Sequence, residues 1–298
     1  MSLNFTKMHG VGNDFIVINC INQNFILTAE IAKALANRNF GIGADQILLV
    51  ENSINPEADF RYRIFNSTGE EVENCGNGAR CFVKFVHKYN LSNKNPIKAE
   101  ITSGIITLNE NNDGSVTVDM GKPSFDPESL PFNTESLEFR KQSLETLWQL
   151  KTEKNKTLLL SVLSISNPHA IIVIDDINTN EVSLIGPEIE SHPRFIKKVN
   201  VSFMQIKDQH SILLRVYERG AGETLACGTG ACASVVSGIR RGLLQSPVLV
   251  HTKGGVLSID WDGKSIKMTG PASFVFDGQI SINNLMQTIN KNTSLLKI

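Results

Sequence analysis

No apolar run in this 298-residue chain approaches the roughly 20 residues that a membrane-spanning helix requires, which argues against helical membrane insertion. The opening Met1-Ser2-Leu3-Asn4-Phe5-Thr6-Lys7 lacks a basic segment leading into an apolar core, so no secretory signal is expected and the expected compartment is the cytoplasm. Neither sign of charge is in excess. With 29 basic and 30 acidic residues the net charge is −1, which leaves no electrostatic reason to expect nucleic acid as a partner. Cysteine is scarce and odd in number, at five, which reads as thiols rather than a disulfide framework. Zinc knuckles place ligands about two to four residues apart, whereas Cys75 and Cys81, or Cys227 and Cys232, are separated by helical turns; no metal is expected. The glycine-rich Gly220-Ala221-Gly222-Glu223-Thr224 is followed by no Gly-Lys-Ser/Thr and carries no Gly-x-Gly-x-x-Gly pattern, so no nucleotide cofactor is supported.

What is present is a globular composition, 41% hydrophobic and 20% charged, at a length that suits two domains. Short apolar runs separated by Gly/Asn turns predict strands at 15–18, 46–50 and 60–65, with a helix over 28–37. Ala79, Phe82, Phe85, Val86 and Tyr89 recur at three and four residues and mark one buried stripe of a helix that starts after Cys75. Strands follow at 97–102, 105–108 and 116–120, the last two joined by Asn111-Asn112-Asp113-Gly114 as a hairpin turn. An amphipathic helix is expected over 137–150, with Leu144, Leu147 and Trp148 on its apolar face. The second half repeats the pattern, with strands at 158–163, 170–174, 199–206 and 212–217, a Cys-Gly turn into a helix ending near Arg241, and strands at 248–252, 256–261 and 266–269.

The expected fold is therefore α+β: two similar domains, each a curved, mostly antiparallel, barrel-like sheet around a central helix, with the active site in the cleft between them. Residues 1–122 form the expected N-terminal domain, to which a strand near 273–282 returns, and 123–272 the C-terminal domain. Residues 283–298 are a terminal segment, helix or loose tail.

The most informative feature is a repeat, Cys75-Gly76-Asn77-Gly78-Ala79 and Cys227-Gly228-Thr229-Gly230-Ala231, each leading into a helix. One copy alone admits a plain structural reading, a small buried cysteine beside glycines that permit a tight turn. Two copies point elsewhere. A cysteine just before a helix sits in the positive field of the helix, which lowers its thiol pKa and lets it act as a base. The glycines leave backbone N–H groups uncovered for a carboxylate. One such thiol on each side of a substrate is what proton exchange at a single carbon requires. Cys20, Cys81 and Cys232 fit a strand end and helix interiors and are not expected to take part.

Polar groups precede each cysteine: Asn66-Ser67-Thr68-Gly69 and Glu73-Asn74 before the first, Glu218-Arg219-Gly220 before the second. Glu218-Arg219 reads either as an exposed ion pair of little energetic value or as a carboxylate fork with an ammonium acceptor beside it. Asn167-Pro168-His169 reads as a turn or as part of the site.

Taken in order, Met8-His9-Gly10-Val11-Gly12-Asn13-Asp14-Phe15, Gly41-Ile42-Gly43-Ala44-Asp45-Gln46, Asn74-Cys75-Gly76-Asn77-Gly78-Ala79-Arg80-Cys81, Ser166-Asn167-Pro168-His169, Val199-Asn200, Glu218-Arg219-Gly220 and Ala226-Cys227-Gly228-Thr229-Gly230 closely resemble the diaminopimelate epimerases. Each motif is weak alone; the ordered set is specific and spans most of the chain. The resemblance implies epimerisation of LL-2,6-diaminopimelate to the meso form, without pyridoxal phosphate or any other cofactor, on the route to lysine and peptidoglycan precursors. It implies Cys75 and Cys227 as the catalytic thiols, and Asn13, Gln46, Asn66, Asn167, Asn200, Glu218 and Arg219 as holders of the zwitterionic substrate. The N–H groups of Gly76, Asn77, Gly228 and Thr229 would grip the reacting carboxylate, and His169 and Glu218 would tune the thiols. A homodimer is implied in the same way. The stretch 127–156 and the tail after 282 are longer than the family pattern and touch no motif. A related two-base racemase acting on proline or hydroxyproline, and a thiol redox or ligand-binding module, are the competing readings.

Overall fold

The computed structural model describes residues 2–72, 75–128, 130–153 and 156–295, with side chains through Ile289. It divides into two compact units, Met1–Val118 with Pro271–Ile298, and Asp119–Gly270.

In the first unit, β1 (Ser2–Gly10), β2 (Asn13–Asn19), α1 (Ala29–Ala36), β3 (Gln46–Asn52), β4 (Phe60–Asn66), β5 (Glu71–Val72), α2 (Gly76–Lys88), β6 (Ile97–Ile101), β7 (Gly104–Glu110) and β8 (Val116–Asp119) follow in order, and the C-terminal segment adds β19 (Ser273–Ser281) and α5 (Ile282–Leu295). β19 pairs antiparallel with β1, which pairs with β2. The hairpin between β1 and β2 turns on Val11 and Gly12, both at positive φ (49° and 87°), the backbone that a two-residue turn matching strand twist demands. It delivers Asn13 to the first position of β2. β2 runs parallel to β3, β3 antiparallel to β4, β4 parallel to β6, and β6–β7–β8 is an antiparallel meander.

The second unit contains β9 (Phe139–Gln142), β10 (Glu145–Lys151), β11 (Thr157–Ser164), β12 (Pro168–Val173), α3 (Glu181–Glu190), β13 (Asn200–Asp208), β14 (Ser211–Glu218), β15 (Gly222–Thr224), α4 (Gly228–Arg240), β16 (Val248–Thr252), β17 (Gly255–Trp261) and β18 (Ile266–Gly270). From β11 onward its topology repeats that of the first unit. β11 is antiparallel to β12, β12 parallel to β13 across α3, β13 antiparallel to β14, β14 parallel to β16 across α4, and β16–β17–β18 a meander.

Helices α2 and α4 are enclosed rather than half-exposed. α2 packs against β1, β2, β3, β4 and β7, and α4 against β11, β12, β13, β17 and β18. Their residues are accordingly buried around most of the circumference, from Gly76 to Val83 in α2 and from Gly230 to Gly238 in α4. Gly78 shows how tight the fit is: a Cβ there would lie 2.4 Å from Tyr62 Oη. A separate cluster under α1, including Leu3, Phe5, Ile16, Leu35 and Ile47, also receives Leu285 of α5.

The helix expected over 137–150 is instead the β9–β10 hairpin. Ser143 at φ 54° makes the turn, Gln142 pairs with Glu145, and Leu144, expected in the core, is 71% exposed. The three- and four-residue spacing of Leu144, Leu147 and Trp148 fits a helix alone; Trp148 opposite Leu160 on β11 and edge-on to Phe132 decides for the strand, a tertiary override of local pattern. Strand β1 and helix α3 were not anticipated from sequence. Gly186-Pro187 hid α3; the glycine is needed there because Tyr217 lies 2.7 Å from where its Cβ would be.

Candidate active site

Cys75 and Cys227 occupy equivalent places, each the residue that caps the N-terminus of its unit's enclosed helix with extended backbone (φ −144° and −121°). In both, the cysteine carbonyl accepts the fourth N–H beyond it, from Ala79 and Ala231. The N–H groups of Gly76 and Asn77, and of Gly228 and Thr229, belong to first turns that have no intrahelical acceptor.

In the first unit, Cys75 is half-buried and its Sγ donates to Asn13 Oδ1 at 3.6 Å. Asn77 Nδ2 donates to the same oxygen at 3.3 Å, and Asn77 Oδ1 accepts Arg80 Nη2 at 2.8 Å. Arg80 is fully buried and also donates to the carbonyls of Pro271 and Gly76. Behind Asn13 sits an ionic cluster. Arg38 forks onto Asp14 and reaches Asp45, Lys7 pairs with Asp14, and Asp45 accepts from Asn13 Nδ2 at 3.1 Å. Burial pushes the Asp14 carboxyl up, but hydrogen bonds from Arg38 and Lys7 more than reverse this and hold it well below the ordinary carboxylate range. Gln46 opens β3, level with Phe15 on one side and Asn66 on the other; its Oε1 is buried with no hydrogen-bond partner among the described residues. The Asn66 carboxamide is committed to its own turn, accepting from Thr68 and from the Glu70 N–H. Tyr62, fully enclosed, donates its hydroxyl to the Cys75 carbonyl at 3.1 Å. Glu73 and Asn74 lie outside the described residues.

In the second unit, Cys227 is 5% exposed. Its sulfur accepts the Gly230 N–H at 3.4 Å, lies 3.5 Å from Thr229 Oγ1, and faces the Glu218 carboxylate, whose Oε1 also accepts from Thr224. Burial, then the charge of Glu218, push this thiol well above its ordinary pKa, against the smaller lowering from Thr229 and Gly230. The direction is opposite to the one expected from helix position alone, because a buried sulfur beside a carboxylate loses more as an anion than one helix terminus returns. Asn200 opens β13 as Gln46 opens β3, and spans two strands: Nδ2 donates to the Pro168 carbonyl, and Oδ1 accepts the Arg219 N–H at 3.0 Å. The Arg219 guanidinium is turned to the Lys197 carbonyl. His169, beside Asn200 on β12, is fully buried, with Nε2 on Asn167 Oδ1 at 2.9 Å and Nδ1 without a partner among the described residues.

Cys81 and Cys232 lie buried inside the two helices. Cys20 follows β2, and burial pushes both Cys20 and Cys81 up to about 12. Among the described residues no group of three His, Cys, Asp or Glu is arranged to hold a metal ion, and no helix is long and apolar enough to cross a membrane. Sequence reasoning gave no role to Tyr62, Asp14, Arg38, Asp45 or Arg80. Three of these stand inside the quoted motifs, one residue from Asn13, one from Gln46 and five from Cys75.

The buried imidazole has a consequence for stability. Burial and the charge of Arg219 lower the His169 pKa from 6.5 to about 3. Between those values the unfolded chain holds a proton that the folded one does not, so stability falls as pH drops through that window by about 1.4 kcal/mol per unit. A urea titration at about pH 5 is expected to show roughly 2 kcal/mol less stability from this source than one at neutral pH. His169→Gln should flatten that slope; an unchanged slope in the variant would place its origin elsewhere.

Comparison with known proteins agrees with the repeated topology. The family model described as diaminopimelate epimerase matches residues 5–125 and again residues 161–275. A diaminopimelate epimerase of Ralstonia pickettii is 55% identical over 97% of this chain and 99% of its own, and one of Cupriavidus taiwanensis 54% identical over 95% and 98%. Among solved structures, a hydroxyproline epimerase of Agrobacterium vitis superposes with TM-score 0.67 over 94% of this chain and 92% of that one at 14% identity. A Bacillus anthracis protein of the PhzF family gives 0.66 over 94% and 99%, also at 14%. Those two distant likenesses establish the shared two-domain α+β fold, and the close relatives together with the matched motifs establish that this chain belongs to the diaminopimelate epimerase family.

Proposed function

We propose that this protein interconverts LL- and meso-2,6-diaminopimelate by a two-base mechanism in which Cys75 and Cys227 act on opposite faces of one α-carbon. The observation that carries the reading is the placement of one cysteine, in each of two topologically equivalent units, at the N-terminus of the enclosed helix.

Removing an α-proton beside a carboxylate puts a second negative charge on a group that already has one. Two helix N-termini supply fixed donors for that charge, with Gly76 and Asn77 on one side and Gly228 and Thr229 on the other. Inversion needs one thiolate and one thiol, exchanging roles with direction. Cys227, buried and donating to Glu218, suits the thiol role in the substrate-free enzyme. Its proton passes to the carbanion on its own face while the opposite sulfur keeps the proton it has taken.

The unpartnered Oε1 of Gln46 is an acceptor suited to an ammonium hydrogen, and Asn200 and Arg219 supply polar groups from the second unit. Asn13, Asn66, Asn167 and Glu218 complete the substrate-holding set, and His169, neutral and hydrogen-bonded to Asn167, orients that amide. A cytoplasmic location and a homodimer belong to the same reading; cell fractionation and light scattering test them.

During turnover in deuterium oxide, solvent deuterium is expected at the substrate α-position, with LL-diaminopimelate consumed and proline and hydroxyproline left untouched. Full epimerisation with no deuterium incorporated would exclude the mechanism, and turnover of proline would reassign the substrate.

A further inference from the structure

One carboxylate in the second unit stands where its own helix does not favour it. Glu190 is the last residue of α3, at the negative end of the helix dipole, with no basic residue in that last turn, and it is only 6% exposed. A buried charge in such a place needs partners from elsewhere in the fold. Two are present. Lys198, on the approach to β13 with its backbone at φ 59°, gives Nζ to both carboxylate oxygens at 3.1 and 3.2 Å. The Gly220 N–H, in the turn between β14 and β15, donates to Oε1 at 3.0 Å. The Glu190 carbonyl also accepts the Val199 N–H at 3.2 Å. One residue therefore grips the chain just before Asn200 and the turn just after Arg219, and those two are themselves joined by the Arg219 N–H on Asn200 Oδ1 at 3.0 Å.

We propose that Glu190 is a positioning residue: it fixes the Gly220 turn against the start of β13, so that Asn200 and Arg219 are in place before the substrate arrives. Packing does not hold this turn. Gly220 is at φ 74°, and nothing lies within 4 Å of where a Cβ on it would be. Its ties to the start of β13 and the end of α3 pass through the Gly220 and Arg219 N–H groups and the Arg219 guanidinium on the Lys197 carbonyl. Glu218 is secured separately, by the Thr224 hydroxyl on β15, so the carboxylate beside Cys227 stays when the Glu190 clamp is lost. A turn that is correctly placed only part of the time weakens binding by that fraction and leaves the chemical step of the bound enzyme intact. The inference rests on the substrate-holding role proposed for Asn200 and Arg219, and one arm of its test needs no substrate.

Glu190→Met keeps the length of the buried side chain and removes both acceptor oxygens; Glu190→Ala serves if methionine is not accommodated. KM for LL-diaminopimelate is expected to rise about tenfold, with kcat within about twofold of wild type. Amide hydrogen exchange in peptides that include Arg219 and Gly220, read by mass spectrometry on substrate-free protein, should quicken about tenfold. Glu190→Gln retains a carbonyl oxygen for the Gly220 N–H and should restore both values, with a urea midpoint still below wild type because the charge pairing with Lys198 is gone. Lys198→Ala loses the same ion pair but leaves the Gly220 clamp, so it should share the lower midpoint while KM and exchange stay as in wild type. Unchanged KM or unchanged exchange in the Glu190→Met enzyme, or a rise of equal size in Lys198→Ala, overturns the proposal. A wild-type enzyme inert towards diaminopimelate would refute the function proposed above, and the exchange comparison would still decide whether Glu190 holds the turn.

Discussion

Replacing Cys227 with alanine is expected to slow epimerisation of LL-diaminopimelate by about 10³-fold or more, within the range that loss of a positioned acid or base costs. The argument is local to the second unit. Alanine leaves the helix N-terminus and its Gly228 and Thr229 donors in place, so the carboxylate site proposed above is kept, but the proton proposed for that face of the carbon is lost. Serine keeps a hydroxyl of similar reach whose acidity is far too low near neutrality, and should leave only traces. The fold should survive, because the sulfur's bonds are confined to the Gly230 N–H, the Thr229 hydroxyl 3.5 Å away and Glu218, which also accepts from Thr224. Cys75→Ala is expected to be equally severe, since inversion fails if either face lacks its partner. A polarimetric or coupled assay with far-UV circular dichroism of each variant decides the matter. Activity above roughly a tenth of wild type in either folded alanine variant would remove that cysteine from the chemistry.

Gly78→Ala is expected to be strongly damaging to the first unit and to its site together. The added Cβ would stand 2.4 Å from Tyr62 Oη, with Ile64 Cδ1 at 3.1 Å and Phe15 Cε1 at 3.2 Å. Overpacking of this kind costs about 1 to 3 kcal/mol. Here it also drives the tyrosine hydroxyl from the Cys75 carbonyl, to which it donates at 3.1 Å, so the cysteine backbone shifts and activity falls with stability. Because the worst clash is with one oxygen, Tyr62→Phe removes the atom in the way, at a cost of about 1 kcal/mol for the lost hydrogen bond when made alone. The double variant should therefore be more stable than Gly78→Ala by itself, a favourable coupling of about 1 kcal/mol or more in a chemical-denaturation cycle. Strict additivity would show that the methyl is accommodated by moving the helix rather than the ring.

The parts of the site that were legible in the sequence are those whose backbone makes a local demand. Cys-Gly-x-Gly needs small residues because the first turn of an enclosed helix passes close to neighbours, so the motif announces both the helix and its burial. The hairpin over 139–151 is not legible locally because Leu144, Leu147 and Trp148 carry the i, i+3, i+4 spacing of a helix face. Only pairing with β11 and the ring contact with Phe132 choose between them. Arg80 looks in sequence like an ordinary helical cation, and its burial becomes visible only when β1 through β4 close around it.

By itself the sequence determined the chemistry available: two equivalent thiols before two helices, polar residues at the starts and ends of the strands beside them, and the family to which that order belongs. The tertiary structure decided how each of those groups is held. It buried Cys227 beside Glu218 and so raised a thiol that its helix alone would have lowered, left His169 neutral, and set the Asn13 amide between Asp45 and Cys75. Composition and spacing state which groups exist, but a proton's affinity depends on desolvation and on charges brought near from distant parts of the chain, and those arise only on folding.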